Sequence, residues 1–217
     1  MEKKGELAGI RGGKEGGLER IKAGKEERLA GIREKICSQL ECPLKNSAKN
    51  LVFGKGNFDA KVFVVGEAPG KNEDETGIPF VGAAGKNLDG YLKLAGLTLD
   101  SVYIANILKY RPPENRDPSE SEILSHTPYL VEQIRVVEPK ILVPLGNFAT
   151  KFVLGGFLVS GMKEVEGTSR LHGRKFEVEF EGRKILVFPI YHPAAAIYNR
   201  KLIGEILKDF EELGKII

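Results

Sequence analysis

From residue 28 onwards, short apolar runs alternate with amphipathic stretches. Four runs rich in β-branched residues end at Gly, Asn or Pro: "AKVFVVG", "SVYIAN", "PKILVPLG" and "KILVFPIYHP". Nearly continuous apolar strands are typical of a parallel sheet that is covered on both faces. Helical stretches separate them: "GAAGKNLDGYLKLAGL", "SESEILSHTPYLVEQIRVV" and "GNFATKFVLGG". This alternation predicts an α/β fold, a three-layer αβα sandwich with a central four-stranded parallel sheet.

Two further segments complete the predicted domain, and one lies outside it. "RKFEVEFEGRKILVF" predicts a hairpin with Glu181 and Gly182 at its turn, and "RKLIGEILKDFEELGKI" predicts a closing amphipathic helix. Residues 1–27 are charged and Gly-rich, and "LAGIR" occurs at 7–11 and again at 29–33. We therefore expect a disordered extension or a frayed helix, followed by one domain at 28–217. The extension is either a solvated tail or an arm that tethers DNA.

Composition narrows the class of protein without identifying it. A chain of 217 residues with 41% hydrophobic content can bury one sizeable core. The net charge of +3 permits a polyanionic partner without requiring one. We expect an intracellular, cytoplasmic protein, because no run of about 18 apolar residues is present and the charged N-terminus does not fit a signal peptide. The two cysteines fit a reducing compartment, and the abundant Lys and Glu are typical of thermophiles.

Unusual residues follow each predicted strand, where open parallel sheets bind ligands. They are Gly66-Glu67-Ala68-Pro69-Gly70, Asn106, Gly146-Asn147 and Tyr191-His192-Pro193. One pocket at the strand ends is expected to collect them. The glycines allow close approach of the backbone, and Phe80, within "GIPFVG", offers a flat face for a nucleobase. A tight turn and a core phenylalanine are the alternative.

Two polar side chains at these strand ends suggest the chemistry. The amide of Asn106 both donates and accepts, as the O4 and N3–H edge of uracil requires. His192 is placed to donate a hydrogen bond to an oxyanion that develops on a departing base. Taken alone, Asn106 also fits a cap and His192 a structural histidine.

Five ordered motifs resemble those of the thermophilic-type family 4 uracil-DNA glycosylases. They are "GEAPGKNEDETGIPFVGAAGKNL", "VYIANILKYRPPENRDP", "PYLVEQI", "PKILVPLGNFATKF" and "YHPAAAIYNR". The resemblance runs from about Cys42 to the C-terminal helix. It implies a DNA repair enzyme that flips uracil out of DNA and hydrolyses its N-glycosidic bond, leaving an abasic site. A noncatalytic uracil- or lesion-binding module is the alternative; a small-nucleotide-binding protein is disfavoured because acidic "NEDE" follows "GEAPG".

The resemblance also implies roles for individual residues. Glu67 and Ala68 would line the uracil pocket, Phe80 would stack on the base, and Asn106 would read its polar edge. Glu73 would exclude the methyl group of thymine. His192 would stabilise charge at uracil O2, and Asn115 would orient the attacking water. The expected catalytic residues are therefore His192, Asn115 and Glu67. Classical uracil-DNA glycosylases have an aspartate where this chain has Ala68, so the general base stays open.

Two segments are expected to contact DNA. Lys109, Arg111 and Arg116 flank "PPEN" and are expected at the DNA backbone or in support of the loop that meets it. "PAAAIYNR" resembles a minor-groove loop in which Ile197 or Tyr198 is an apolar wedge and Arg200 meets phosphate. A solvated loop and a helix N-terminus are the alternatives. The expected partner is uracil-containing DNA, with no membrane, and the protein is expected to be a monomer.

The chain departs from the family at the residues that would hold a four-iron four-sulfur cluster. Cys42 matches, but Gln39 replaces its C-x2-C partner, and Cys37 makes the spacing C-x4-C. Tyr110 and His126 stand where the downstream cysteines are expected. Cluster iron favours thiolates, so no cofactor and no metal are expected. The cysteines would be two inert thiols or, alternatively, a disulfide.

Overall fold

A computed structural model describes residues 8–217 of the chain, with side chains from residue 23 onwards. The helices are α1 Ala8–Gln39, α2 Pro43–Ser47, α3 Lys71–Thr76, α4 Ala83–Leu94, α5 Glu120–Val137, α6 Gly146–Leu154, α7 Thr168–Leu171, α8 Ala195–Tyr198 and α9 Ile203–Gly214. The strands are β1 Lys55–Gly56, β2 Val62–Gly66, β3 Val102–Asn106, β4 Ile141–Pro144, β5 Phe176–Phe180 and β6 Arg183–Val187. Short 3-10 turns cover Pro113–Asn115, Ser160–Glu164 and Arg200–Leu202. In this part of the chain, no helix has the length and apolar character needed to cross a bilayer.

The sheet has six strands in the order β1-β3-β2-β4-β6-β5. Its four inner strands are parallel, which confirms the predicted four-stranded parallel core. The two edge strands run antiparallel to their neighbours. β5 and β6 form the predicted hairpin, and its turn residues Glu181 and Gly182 have φ of 51° and 76°. β1 is only two residues long and has no pattern that would announce it.

The parallel strands are buried on both faces, as their continuous apolar runs require. In β2, Phe63 and Val65 face a core formed with α1, α5 and α6. Val62 and Val64 face the opposite core, formed with α4 and α9. The alternation of side chains along one strand thus builds both interfaces of the αβα sandwich, which confirms the predicted fold class.

Helix α1 packs against α5 through one apolar face. Leu29, Ile32 and Ile36 recur at helical spacing and are buried. Lys25 is anchored as well, because its Nζ lies 2.9 Å from Asp59 Oδ1. The helix crosses the predicted boundary between residues 27 and 28 without a break. Residues 1–7 of the predicted disordered extension lie outside the described residues, and the division into extension and domain stays a prediction.

Candidate active site

A cavity of about 390 Å³ opens where β2 and β3 end and where the chain leaves β6. All seven residues predicted to act in catalysis or uracil binding line it: Glu67, Ala68, Glu73, Phe80, Asn106, Asn115 and His192. Arg116 and Tyr198, two of the predicted DNA contacts, lie at its wall. The ring centroids of Phe80 and His192 are 5.9 Å apart, with 30° between the ring planes. The structure therefore brings together side chains from distant parts of the sequence.

The aromatic wall of the cavity is Phe80, and two side chains fix it by binding the backbone of its loop. Phe80 has a left-handed φ of 53°, a strained conformation for a residue with a side chain. Its carbonyl accepts a hydrogen bond of 3.0 Å from Lys55 Nζ. Glu73 Oε1 accepts hydrogen bonds of 2.8 Å from the amides of both Val81 and Gly82. These contacts fix the loop, so the ring of Phe80 is a preformed platform.

Glu73 thus has a structural contact that the sequence did not reveal. Its carboxyl is buried, and it both lines the cavity and anchors the loop that carries Phe80. Lys55 was also missed by sequence reasoning. Its only signal is a lysine between two glycines in "FGKGN". Both residues hold the backbone of the loop that carries Phe80.

Asn106 projects from the end of β3 against the backbone of β2. A Cβ on Gly66 would overlap Asn106 Oδ1 and would lie 2.7 Å from Phe80 Cζ, so only glycine fits between the two side chains. Asn106 Oδ1 is buried and has no hydrogen-bond partner among the described residues. An unsatisfied buried acceptor costs about 1 to 3 kcal/mol, which a ligand with an N–H group would relieve.

His192 is held as a neutral imidazole. Its Nδ1 accepts a hydrogen bond of 3.2 Å from the amide of Ala194, which leaves the proton on Nε2. Burial lowers the pKa of His192 to about 4, although the nearby carboxylate of Glu73 opposes the shift. Gly146, at the turn after β4, packs against this histidine. It has a φ of 82°, and a Cβ there would lie 3.0 Å from His192 Cβ, so the turn needs glycine. The site therefore contains a neutral N–H donor at physiological pH.

Glu67 is a carboxyl of the cavity with a strongly raised pKa. Burial raises the pKa of Glu67 to about 7, and the negative charge of Asp117 adds to the shift. Its backbone carbonyl accepts a hydrogen bond of 3.0 Å from the amide of Leu108, which joins this loop to the end of β3. A carboxyl with such a pKa changes charge near neutral pH.

The loop that carries Asn115 is built by local hydrogen bonds. Asn115 is exposed, has a φ of 55°, and its Oδ1 accepts a hydrogen bond of 2.8 Å from Arg111 Nε. Arg116 forms two hydrogen bonds of 2.6 and 2.9 Å with the carboxylate of Glu122. Hydrogen bonds from this guanidinium lower the pKa of Glu122 to about 2. Arg111 and Arg116 therefore hold the loop, and the guanidinium of Arg116 remains half exposed.

The predicted DNA contacts divide into exposed and buried residues. Ile197 and Tyr198 are 48% and 89% exposed, and Arg200 is exposed beside them. Lys109, in contrast, has no exposed surface, and its Nζ contacts the carbonyl of Asn106. A buried amine cannot reach a phosphate, so Lys109 is removed from the predicted DNA contacts.

The residues after β4 also differ from the expectation of one shared pocket. Asn147 lies in a separate cavity of about 350 Å³, and its Oδ1 accepts a hydrogen bond of 2.8 Å from the amide of Thr168. Gly146 contributes to the site only through its contact with His192. The end of β4 thus supports the pocket without lining it.

The residues at the expected cluster position do not fit an iron-sulfur cluster. The chain has two cysteines, of which Cys37 is exposed and Cys42 is buried, and neither forms a disulfide. Tyr110 and His126 are buried and pack edge to face, with ring centroids 6.1 Å apart. The Nδ1 of His126 already accepts a hydrogen bond of 2.9 Å from the amide of Lys109. Among residues 23–217, no group of three or more His, Cys, Asp or Glu side chains is arranged to hold a metal ion.

Comparison with known proteins gives one consistent result. A model of the uracil DNA glycosylase superfamily matches residues 53–213. The Type-4 uracil-DNA glycosylase of Archaeoglobus fulgidus is 43% identical over 190 residues, which cover 88% of this chain and 94% of the relative. That of Sulfurisphaera tokodaii is 44% identical over 191 residues, covering 86% and 84%. That of Thermotoga maritima is 35% identical over 195 residues, covering 89% and 96%.

Proposed function

The chain belongs to the uracil DNA glycosylase superfamily and, within it, to the Type-4 enzymes, and we propose that the cavity beside Phe80 is where it excises uracil. The protein is a DNA repair glycosylase. It hydrolyses the N-glycosidic bond of uracil in DNA and leaves an abasic site. The observation that carries the assignment of the site is the convergence of Phe80, Asn106 and His192 on one cavity.

Uracil is recognised by shape and by one amide. The base, flipped out of the DNA stack, lies against the ring of Phe80. The orphaned Oδ1 of Asn106 accepts the N3–H of uracil, and the amide nitrogen of the same side chain donates to O4. Cytosine presents the opposite pattern at this edge, and it would leave buried polar groups unpaired. Glu73 closes the side of the pocket where the methyl group of thymine would lie.

Bond cleavage is assisted chiefly by stabilising the leaving group. The bond between the sugar and N1 breaks with both electrons moving to the base, which gives an oxocarbenium-like sugar and a uracil anion. The Nε2–H of His192 donates a hydrogen bond to O2 as negative charge develops there. The imidazole is already neutral, so its protonation state does not have to change before it acts. This interaction strengthens towards the transition state and therefore accelerates the reaction.

The sugar cation is then captured by water at the opposite side of the pocket. We assign the orienting of this water to the side chains of Asn115 and Glu67, which line the same cavity. Ionised Glu67 also stabilises the positive charge of the sugar, and its raised pKa makes that contribution pH-dependent. As the hydroxyl forms on the sugar carbon, the attacking water releases one proton to the solvent, and the departing uracil anion takes up one proton from the solvent.

The exposed residues around the opening form the DNA-binding surface in this proposal. Tyr198 or Ile197 enters the stack where the base has left it, and Arg200 and the free edge of Arg116 meet phosphates. We further propose that the enzyme acts as a monomer in the cytoplasm, where it meets DNA.

The protein is proposed to work without an iron-sulfur cluster. Tyr110 and His126 replace two thiolates with buried rings that pack on each other, and the Arg116–Glu122 pair closes the segment between them. Iron analysis of protein purified without oxygen, with its absorption spectrum, tests this proposal. Iron well below one atom per chain and no visible absorption band are expected, whereas four irons per chain with a visible absorption band would contradict the proposal.

A single-turnover assay tests the assignment of the site. The substrate is a single-stranded oligonucleotide with one central deoxyuridine, and matched strands carry deoxycytidine or thymidine instead. We expect free uracil and an abasic site from the first strand only, with release lost in His192→Ala and Asn106→Ala. Tight binding of the uracil strand without release would favour the noncatalytic module, which the relatives do not favour.

A further inference from the structure

One buried amine lies directly behind the pocket and has no part in the mechanism above. Lys109 follows the end of β3 by three residues, and its side chain is fully buried. Its Nζ lies 2.8 Å from the carbonyl oxygen of Asn106 and 2.6 Å from Gln133 Oε1. A lysine is seldom buried completely, so this placement calls for a reason.

Both partners of the amine are neutral. Among the described side chains, no carboxylate forms an ion pair with Lys109. Burial alone lowers the pKa of Lys109 to about 7. Two N–H donors of the amine point at these two neutral oxygens, 2.8 and 2.6 Å away, whether or not the amine carries a third proton. The contact is therefore a pair of directed hydrogen bonds rather than a charge pair.

The amine is fixed from several directions. Gln133, on α5, donates from Nε2 to the carbonyl of Phe53 at 3.0 Å and contacts the hydroxyl of Tyr103 at 3.4 Å. The backbone amide of Lys109 donates to His126 Nδ1, and its carbonyl accepts from the amide of Val52 at 2.9 Å. A side chain held in this way cannot shift without disturbing α5 and the segment at 52–53.

The amine binds the backbone at Asn106, where β3 ends. The ladder between β2 and β3 ends at Gly66 and Asn106, and beyond it the amides of Ile107 and Leu108 donate to the carbonyls of Gly66 and Glu67. The carbonyl of Asn106 is instead held by Lys109 Nζ. The side-chain oxygen of Asn106 has no partner of its own in the described structure, so the direction of the amide follows its backbone and the contact with Gly66.

We propose that Lys109 is a positioning residue for Asn106: by holding the Asn106 carbonyl to Gln133, it aims the Asn106 amide at the base in the pocket. This inference rests on the proposed function, which gives Asn106 the task of reading uracil. Lys109 does not touch the substrate. Its contribution is to keep an unsatisfied amide in one orientation until uracil arrives, so that little ordering is left to the binding step.

The test compares two changes in one buried network. Lys109→Met keeps an unbranched side chain of similar length but cannot donate to Asn106. Tyr103→Phe, the matched control, removes a hydroxyl that contacts Gln133 Nε2, whereas Lys109 contacts Gln133 Oε1. If Lys109→Met fails to fold, Gln133→Met, which leaves the amine but removes one of its acceptors, takes its place in every measurement.

The first readout does not depend on activity. The side-chain amide of Asn106 is followed by nitrogen–proton NMR, with its signals assigned by their loss in Asn106→Asp. We expect them to move or broaden in Lys109→Met and to stay in place in Tyr103→Phe. Unchanged signals in Lys109→Met, or equal changes in both variants, would overturn the positioning role even if the wild-type protein released no uracil.

The second readout is base selection. Dissociation constants are measured for strands with a single 2′-fluoro-deoxyuridine, which resists cleavage, or with deoxycytidine. We expect Lys109→Met to lose about 10-fold of the preference for uracil, equivalent to about 1.4 kcal/mol, and to bind the cytidine strand as before. A purely structural role would weaken both strands alike and leave the preference intact, which would overturn the proposal.

Discussion

Replacing Gly66 with alanine is expected to abolish uracil release while leaving the fold intact. The added Cβ would overlap Asn106 Oδ1 and would lie 2.7 and 2.9 Å from two ring atoms of Phe80. Real Cβ atoms do not approach other atoms so closely, so one of the two side chains must move. The three nearest atoms all belong to the side chains that are proposed to read and stack the base.

The size of the effect follows from what can yield. The loop of Phe80 is fixed by Lys55 and Glu73, so the Asn106 amide has to turn away from its aim. Overpacking of this kind costs about 1 to 3 kcal/mol of stability. Loss of the amide contact in the transition state should lower single-turnover release by at least about 100-fold, equivalent to about 2.7 kcal/mol.

Gly90→Ala is the matched control for this experiment. Gly90 lies in α4, and a Cβ there would meet nothing within 4 Å. Alanine in the middle of a helix should raise stability by about 0.5 to 1 kcal/mol and leave release unchanged. Both variants are compared by thermal unfolding and by uracil release. Wild-type release from a folded Gly66→Ala protein would refute the argument that Asn106 and Phe80 form the site.

Three further predictions concern individual side chains. Asn106→Asp should lose uracil release by about 100-fold or more and bind deoxycytidine relatively better, because an ionised carboxylate accepts but does not donate; an unchanged base preference in the binding assay would contradict this. The ring protons of His192 should show no titration by NMR between pH 5 and 8, because the folded-state pKa lies near 4; a midpoint near 6.5 would contradict the neutral imidazole. Wild-type release should rise with pH through about 7, since Glu67 becomes ionised there and stabilises the sugar cation, and Glu67→Gln should remove that step; an identical pH profile in the variant would exclude Glu67 from this role.

The sequence predicted the inner strands of the sheet better than its short edge strand β1 and the full length of helix α1. The four inner strands were readable because each is a continuous apolar run with a helix after it. The antiparallel edge strand β1 was not, since two residues carry no periodicity. The continuity of helix α1 across residues 27 and 28 was not readable either, because its first half is charged and rich in glycine, and a frayed helix was one of two expected states.

The sequence predicted the site residues that follow strand ends. It did not predict the position of side chains that are held by a partner far away in the sequence. Asn106, Phe80 and His192 fall on loops at one edge of the sheet, so topology alone places them near each other. Lys109 has the sequence context of an exposed loop cation. Its burial depends on a contact with Gln133, which lies 24 residues later on another element and cannot be paired with it from the sequence. The hydrogen bonds from Lys55 and to Glu73 that fix the loop of Phe80 could not be predicted from the sequence for the same reason.

The most direct test of the pocket is a crystal structure of the protein soaked with free uracil. We expect uracil in the cavity of about 390 Å³, with its ring lying on Phe80. Its N3 should lie within hydrogen-bond distance of Asn106 Oδ1, and its O2 within hydrogen-bond distance of His192 Nε2. Uracil bound in the cavity beside Asn147 instead, or lying in the first cavity with its polar edge turned away from Asn106, would contradict it.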